Sequence, residues 1–159
     1  MDLPRLALYQ PDIPQNAGTL LRLAACMSFA VDVIEPCGFL WDEKRMRRAG
    51  MDYLDHVMVT RHSSWAAFHH TNQAAGRRLV LLSTKASTRL DHFSFAANDC
   101  IMVGRESAGV PDDVAQAADV RVRIPLAPGA RSLNVAVAAA ITMAEALRQL
   151  NAYPAEDLP

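Results

Sequence analysis

Polar side chains and backbone-breaking residues stand close together where a predicted strand, Val120–Ile124, gives way to a long apolar run. Prolines and the pair Pro128-Gly129 break regular structure, and Ser132 and Asn134 follow just before the apolar run. Ser132 is a favoured N-cap for the helix that this run predicts. A helix N-terminus beside exposed backbone can bind a small polar ligand through main-chain groups. The segment therefore indicates a ligand site, although an ordinary loop with a helix cap accounts for the same residues.

Two further corners of the chain have the same character. In the segment 100–111 an apolar strand ends at Gly104, which permits close backbone approach, and the carboxylate of Glu106 follows. In the segment 11–22 a first strand is followed by Asn16 and, six positions later, by Arg22. Each corner places polar groups just past a strand end, where α/β proteins bind nucleotide-type ligands.

In order and spacing, these three segments resemble the three motifs of the SPOUT class of RNA methyltransferases. The segment 34–53, with its run Trp-Asp-Glu-Lys-Arg-Met-Arg-Arg, is also similar to the small tRNA 2′-O-methyltransferases that act on the wobble cytidine or uridine. The resemblance covers about residues 5 to 153. It implies an enzyme that transfers a methyl group from S-adenosylmethionine to the ribose 2′-oxygen of the wobble nucleotide, in the anticodon region of tRNA.

The resemblance also assigns residues to roles. The polar motif residues, and hence the catalytic candidates, are Asn16, Arg22, Glu106 and Asn134. Cofactor contacts are expected from backbone or small groups at Leu82, Gly104, Ile124, Leu126, Ser132 and Leu133. The short basic helix is expected to contact tRNA through Lys44, Arg45, Arg47 and Arg48.

Physical chemistry limits some of these roles. A guanidinium stays protonated in proteins, so Arg22 is expected to stabilise a developing alkoxide or to hold a phosphate instead of acting as a base. Asn16 could also serve as a helix N-cap, and Glu106 could orient loops by accepting backbone N–H groups. Two residues depart from the family pattern: Arg105 stands where proline is common, and Ala136 where the wobble-specific group has serine.

Alternating short apolar strands and helices predict an α/β fold with a mostly parallel sheet covered by helices on both faces. The resemblance adds a C-terminal deep trefoil knot, which no pattern rule would suggest. We predict one domain over residues 1–153 and a tail over 154–159. The predicted strands are 6–9, 31–34, 57–60, 79–83, 100–103 and 120–124, and the predicted helices are 16–29, 42–48, 63–70, 111–118 and 132–150.

The last predicted helix is apolar on nearly all sides before Glu145, and Leu133, Val137, Ala140, Ala144 and Leu147 form one stripe. A helix of this kind is buried on more than one side, either inside the domain or against a partner subunit. The family forms homodimers with the active site at the interface, which favours the second alternative.

Bulk properties restrict the function classes. The net charge of −1 argues against non-specific nucleic-acid binding but leaves room for a local basic face. The three scattered cysteines lack metal-ligand spacing, so we expect no metal. The sequence has no apolar stretch of ~18 residues free of charges, so we expect no membrane span and a cytoplasmic location. The glycine fingerprint of dinucleotide-binding domains is missing after the first strand, which disfavours an oxidoreductase. The remaining alternatives are methylation of another tRNA position or of ribosomal RNA, and an inactive RNA-binding module.

Overall fold

The computed structural model describes residues 2–48 and 52–157. Strands and helices alternate along these residues, with single 3₁₀ turns at Asp52–His56 and Leu90–His92. The elements in chain order are β1 (Arg5–Tyr9), α1 (Pro14–Met27), β2 (Val31–Ile34), α2 (Glu43–Arg48), β3 (Val59–His62), α3 (Trp65–Ala74), β4 (Arg78–Leu82), β5 (Thr88–Arg89), β6 (Asp99–Val103), α4 (Asp112–Ala117), β7 (Val120–Arg123) and α5 (Val135–Gln149).

The strands form one seven-stranded sheet in the order β3-β2-β1-β6-β4-β7-β5, and every pair of neighbours is parallel. The chain builds outward from β1 to β3, then crosses to β4, and later inserts β6 between β1 and β4. The carboxyl ends of β1, β4, β6 and β7 therefore meet at one edge of the sheet, on either side of the point where the strand order changes direction.

Helices cover both faces of the sheet, as the sequence predicts. On one face the core includes Leu20 and Leu21 of α1 together with Met143 and Leu147 of α5. On the other face Phe68 of α3 and Val114 of α4 pack on alternate residues of the same strands. Most residues of β1, β2, β4 and β6 are buried, which explains why these strands are rich in apolar residues, whereas β3 and β7 are partly exposed.

Two helix starts differ from the prediction. Helix α1 begins at Pro14, not Asn16, because proline suits the first helical turn. Helix α5 begins at Val135, and its N-cap is Asn134, so the prediction of Ser132 as the cap was wrong. The Asn134 side-chain oxygen accepts from the backbone N–H groups of Ala136 and Val137 at 2.8 and 3.2 Å.

Other differences are local. Strand β3 lies two residues further along than predicted, helix α3 extends to Ala74, and the two-residue strand β5 was not predicted. The predicted tail begins at Pro154, in coil, and its last two residues lie outside the described part of the chain.

The apolar stripe predicted for α5 does not form a single buried face. Leu147 is completely buried, but Val137 is 48% exposed and Leu133, just before the helix, is 39% exposed. The buried face instead comprises Ala136, Ala139, Thr142, Met143, Ala146 and Leu147. A second, exposed apolar row therefore runs along the helix, and it includes Val137 and Ile141.

The carboxyl end of α5 is fixed to the segment before β6 by Gln149. Its side-chain oxygen accepts from the Phe95 N–H at 2.9 Å, and its amide group donates to the Phe93 carbonyl at 2.9 Å. We expect Gln149→Leu to lower the free energy of unfolding by about 1–3 kcal/mol, because the N–H of the buried Phe95 loses its acceptor. Urea unfolding followed by circular dichroism measures the change. Gln73→Leu, at an exposed position of α3, is the matched control, and equal stability of the two variants would contradict the assigned role.

Candidate active site

A cavity of about 530 Å³ opens at the carboxyl edge of the sheet, between the ends of β4, β6 and β7 and the start of α5. Its volume lies in the range typical of cofactor and small-ligand sites. All six residues predicted to contact the cofactor line this cavity: Leu82, Gly104, Ile124, Leu126, Ser132 and Leu133. The structure thus brings together residues that lie up to 51 positions apart, although their part in binding stays a prediction.

The loop after β6 closes tightly on itself beside the cavity. Residues Arg105 and Gly109 form a two-way backbone bridge, with N–H to carbonyl distances of 3.0 and 2.8 Å. A Cβ atom at Gly104 would lie only 2.7 Å from the Gly109 carbonyl carbon. Gly109 itself has φ +61°, which an L side chain rarely adopts. The two glycines therefore permit a loop fold that places bare backbone at the cavity wall.

Arg105, the first departure from the family pattern, strengthens this loop. Its Nε donates to the Gly109 carbonyl at 3.2 Å, and its guanidinium lies 5.6 Å from the centre of the Tyr9 ring. The residue also lines the cavity. The added charge is thus held against the end of β1 by a cation–π contact and by the loop it belongs to.

Three of the four predicted catalytic residues meet at one corner of the cavity. Asn134 caps α5 and donates from its amide nitrogen to the side-chain oxygen of Asn16 at 3.1 Å. Asn16 lies in the first turn of α1, whose N-cap is Ile13, so its possible role as the N-cap is excluded. Glu106 lines the same cavity. The first, second and third motifs therefore contribute one polar side chain each.

Glu106 is joined to Asp12, a residue that the sequence did not single out. The Asp12 Oδ1 accepts from the Glu106 backbone N–H at 3.1 Å, and the Asp12 N–H donates to the Glu106 Oε2 at 3.4 Å. In the second contact Glu106 accepts a backbone N–H, as the loop-orienting role requires, although that role stays a prediction. The sequence shows that Asp12 is a carboxylate in the loop after β1, but nothing in the sequence relates it to residue 106.

The two carboxyl groups shift each other's protonation. Burial, followed by the neighbouring Asp12 carboxyl, raises the pKa of Glu106. A hydrogen bond from Glu106, assisted by one from Ser107, lowers the pKa of Asp12 to about 2. The proton that the pair takes up therefore resides on Glu106, and Asp12 stays ionised.

Arg22 lies apart from this corner. It is exposed on α1 and is absent from the cavity lining. Its guanidinium is 4.8 Å from the centre of the Tyr53 ring, and its Nη2 donates to the Tyr53 hydroxyl at 3.4 Å. The Tyr53 ring thus contacts Arg22 on one face. The four predicted catalytic residues therefore do not lie together within a single chain.

None of the side chains of the basic helix α2 is buried. Two of its cations are paired with carboxylates: Arg47 with Asp55 at 2.7 Å, and Arg45 with Asp42 at 3.7 Å. Lys44 and Arg48 are exposed. Exposed ion pairs of this kind are weak, so they leave the arginines able to exchange a carboxylate for a phosphate.

Within residues 2–48 and 52–157, no group of histidine, cysteine, aspartate and glutamate side chains could hold a metal ion. In the same residues, none of the helices has the length and apolar character needed to cross a membrane.

The parallel sheet has a cavity of this size at its carboxyl edge, where three polar loops converge. These features define an α/β protein with a site for a nucleotide-type ligand. The chain belongs to the SpoU rRNA Methylase family, whose model matches residues 4–144.

Individual relatives narrow the comparison. The chain is 58% identical over 147 residues, 92% of each chain, to the tRNA (cytidine(34)-2′-O)-methyltransferase of Beijerinckia indica subsp. indica. It superposes with a TM-score of 0.87 at 38% identity, over 94% of this chain and 97% of the other, on a structure described as giving insights into the 2-OH methylation of C/U34 on tRNA. The SpoU methyltransferase AviRb of Streptomyces viridochromogenes, in complex with the cofactor AdoMet, matches with a TM-score of 0.81 at 26% identity, over 96% of this chain and 60% of that one.

Proposed function

We propose that this protein is an enzyme that transfers a methyl group from S-adenosylmethionine to the ribose 2′-oxygen of the wobble nucleotide, cytidine or uridine 34, of tRNA. The observation that carries the proposal is the convergence of Asn16, Glu106 and Asn134 at one corner of a cavity that the six assigned cofactor residues line. The name of the Beijerinckia indica relative supports the choice of nucleotide. We also propose that the protein acts in the cytoplasm, because its proposed substrate is a tRNA.

The cavity fits the proposed cofactor. Apolar side chains of Leu82, Ile124 and Leu126 offer surface for a purine ring, and the Gly104–Gly109 loop offers bare backbone to polar groups. A side chain at residue 104 would disturb that loop. When bound, S-adenosylmethionine supplies a methyl group already activated by a positively charged sulfur. The residues of this chain therefore need to position the reactants and to manage charge on the accepting oxygen.

The polar corner is suited to orientation. Asn16 and Asn134 are locked together by their 3.1 Å hydrogen bond, so each presents a fixed set of remaining amide groups to a ribose. Glu106, with its raised pKa, is suited to donating a hydrogen bond while it holds a proton. Arg22 supplies a permanent positive charge that stabilises the 2′-oxygen as it loses its proton.

A homodimer would complete this site. Ile13, Leu133, Val137 and Ile141 are large apolar residues that are each at least 39% exposed, and Ile13 and Leu133 also border the cavity. A partner subunit that covers these residues could bring its own Arg22 toward the cavity. The resemblance implies a homodimer with its active site at the interface.

Sedimentation tests the homodimer. Val137→Glu is expected to turn a micromolar dimer into a monomer, because a carboxylate would be buried in an apolar contact. Met58→Glu, at a site that is 68% exposed on the other edge of the sheet, is the control. A wild-type chain that sediments as a monomer and methylates tRNA at full rate would disprove the assembly.

A trefoil knot at the C-terminus is proposed from the resemblance and is compatible with the chain path. After β7, near one edge of the sheet, the chain returns to pack α5 beside α1, and Gln149 hydrogen-bonds to the segment that leads into β6. A crystal structure would test the knot. If the two termini of the traced backbone were drawn apart, a knotted chain would tighten and an unknotted chain would straighten.

The substrate assignment is tested with defined RNA. Total tRNA from cells that lack this protein is methylated with the purified enzyme, and methylated riboses are mapped by their resistance to alkaline cleavage. The modified isoacceptor is then prepared with a 2′-deoxy nucleotide at position 34 or, as a control, at position 32. Only the first substitution is expected to abolish methyl transfer. Transfer to the 34-deoxy tRNA would move the substrate to another position.

The basic helix is predicted to bind tRNA without affecting the chemical step. Replacing Arg45, Arg47 and Arg48 with glutamine should weaken tRNA binding. The slope of log affinity against log salt concentration should become shallower by up to about 2, because each lost contact with a single-strand phosphate contributes about 0.7. The single-turnover rate at saturating tRNA should stay close to that of the wild type.

The matched control removes three positive charges elsewhere, at Arg77, Arg89 and Arg148. Filter binding at several salt concentrations measures both triple variants. Equal losses of affinity would show that only the net charge counts and that helix α2 is no specific contact.

A further inference from the structure

Asp12 joins two loops that are far apart in the sequence, the loop after β1 and the loop after β6. It lies just after β1, and its carboxylate accepts hydrogen bonds from the backbone N–H of Glu106, at 3.1 Å, and from the hydroxyl of Ser107. In return, the Asp12 N–H donates to the Glu106 side chain at 3.4 Å. The paired residues are 94 positions apart in the sequence. One side chain thus determines where the loop after β6 stands relative to the loop after β1.

A third loop fixes Asp12 from behind. A Cβ atom at Gly38 would lie 2.7 Å from the Cβ and 2.9 Å from the Cα of Asp12. The Gly38 N–H also donates to the Pro11 carbonyl at 3.0 Å. The loop after β2 therefore packs its backbone directly against Asp12 and leaves no room for the residue to retreat.

Hydrogen bonds and a shared cavity wall relate Asp12 to the polar corner. Asp12 is hydrogen-bonded to Glu106, Glu106 and Asn16 line the same cavity, and Asn16 accepts a hydrogen bond from Asn134. Each of these three further residues lines the cavity, whereas Asp12 does not. A residue that contacts the reacting groups only through others can still control their geometry.

We propose that Asp12 is a positioning residue of the active site, which holds the Glu106 side chain in place and through it aligns Asn16 and Asn134 toward the ribose. The inference rests on the proposed methyl transfer for its catalytic consequence, although the contact it describes can be tested without that reaction. A misplacement of about 1 Å, caused by a mutation away from the reacting atoms, can lower a rate by about 100-fold.

The test is a double-mutant cycle between Asp12→Asn and Glu106→Gln. The asparagine keeps the size of Asp12 and one acceptor oxygen, but it lacks the charge and can no longer accept through both side-chain atoms. We expect Asp12→Asn to lower the single-turnover rate at saturating tRNA and cofactor by about tenfold or more, with an unchanged KM for tRNA and an unchanged affinity for S-adenosylhomocysteine. In the Glu106→Gln background the same change should have little further effect, because the residue through which Asp12 acts is already altered.

Hydrogen exchange of the Asp12→Ala variant tests the contact between Asp12 and Glu106 without any enzymatic turnover. The Glu106 amide should exchange faster in Asp12→Ala, while amides in the centre of β6 keep their protection. Asp91→Asn, at an exposed aspartate in the 3₁₀ turn after β5, is the matched control for both measurements. A melting temperature for each variant separates loss of folding from loss of position.

Independent losses of rate in the cycle, or unchanged exchange of the Glu106 amide, would overturn the positioning role. An equal loss of cofactor affinity would also overturn it, because Asp12 would then shape the binding cavity instead of the polar corner. A wild-type protein that methylates no tRNA would instead remove the proposed function, and the exchange measurement would still decide whether Asp12 fixes Glu106.

Discussion

Replacing Arg22 with alanine is expected to lower the single-turnover rate of methyl transfer by about 10²–10³-fold, because the variant loses a charge that stabilises the accepting oxygen in the transition state. Affinity for S-adenosylhomocysteine should stay near that of the wild type, since Arg22 is absent from the cavity lining. Arg22→Lys should restore the rate only in part, because the charge returns without the forked geometry. Rapid-quench kinetics with radiolabelled cofactor measures all three proteins. Full single-turnover activity of the alanine variant would remove Arg22 from the catalytic machinery.

The same substitution can locate the subunit that supplies the arginine. If Arg22 acts across the dimer, a heterodimer of Arg22→Ala and Glu106→Gln chains contains one intact site and one doubly altered site. Co-expressed chains with two different tags, purified on both, should then show about half of the wild-type rate, since one of two symmetric sites is complete. Activity as low as that of either parent would place Arg22 and Glu106 of each working site in the same chain.

Replacing Gly104 with valine is expected to weaken cofactor binding by about 5- to 150-fold, from an overpacking cost of about 1–3 kcal/mol. The new Cβ would lie 2.7 Å from the Gly109 carbonyl carbon, so the bridge between residues 105 and 109 would have to open. Calorimetry with S-adenosylhomocysteine measures the loss.

Gly76→Ala provides the control for Gly104→Val. Gly76 has φ +65° with no atom near its missing side chain, so alanine there introduces backbone strain far from the cavity. Its cofactor affinity should not change. Equal affinity of a folded Gly104→Val protein and the wild type would place the cofactor elsewhere.

The convergence of the three motifs could be predicted because it follows from chain direction alone. In a parallel sheet every carboxyl end lies at the same edge, so the polar residues after β1, β6 and β7 had to share that edge. The apolar runs that became these strands are short and bounded by clear breakers. Sequence patterns were thus sufficient for an α/β fold with a parallel sheet, and the family resemblance identified residues that line the cavity.

Side-chain partners were beyond the same reasoning. Ser132 and Asn134 are both good N-caps, and only the path of the preceding loop decides between them. The contact between Asp12 and Glu106 depends on how two loops approach across a strand pair, which no local pattern encodes. The separation of Arg22 from the polar corner similarly depends on which face of α1 turns toward Tyr53.

The late insertion of β6 beside β1 has a consequence for how the chain acquires its structure. Leu6 pairs with Ile101, so β1, an interior strand of the sheet, stays without one of its neighbours until residues almost a hundred positions later are made. During synthesis β1, β2 and β3 can associate, but the open side of β1 stays unpaired until residues 99–103 emerge. Such distant pairings make folding slow, because loop closure is unfavourable until the late contacts form. The first half of the polypeptide is therefore expected to depend on the second, so that a fragment ending before β6 would expose an apolar strand edge and aggregate.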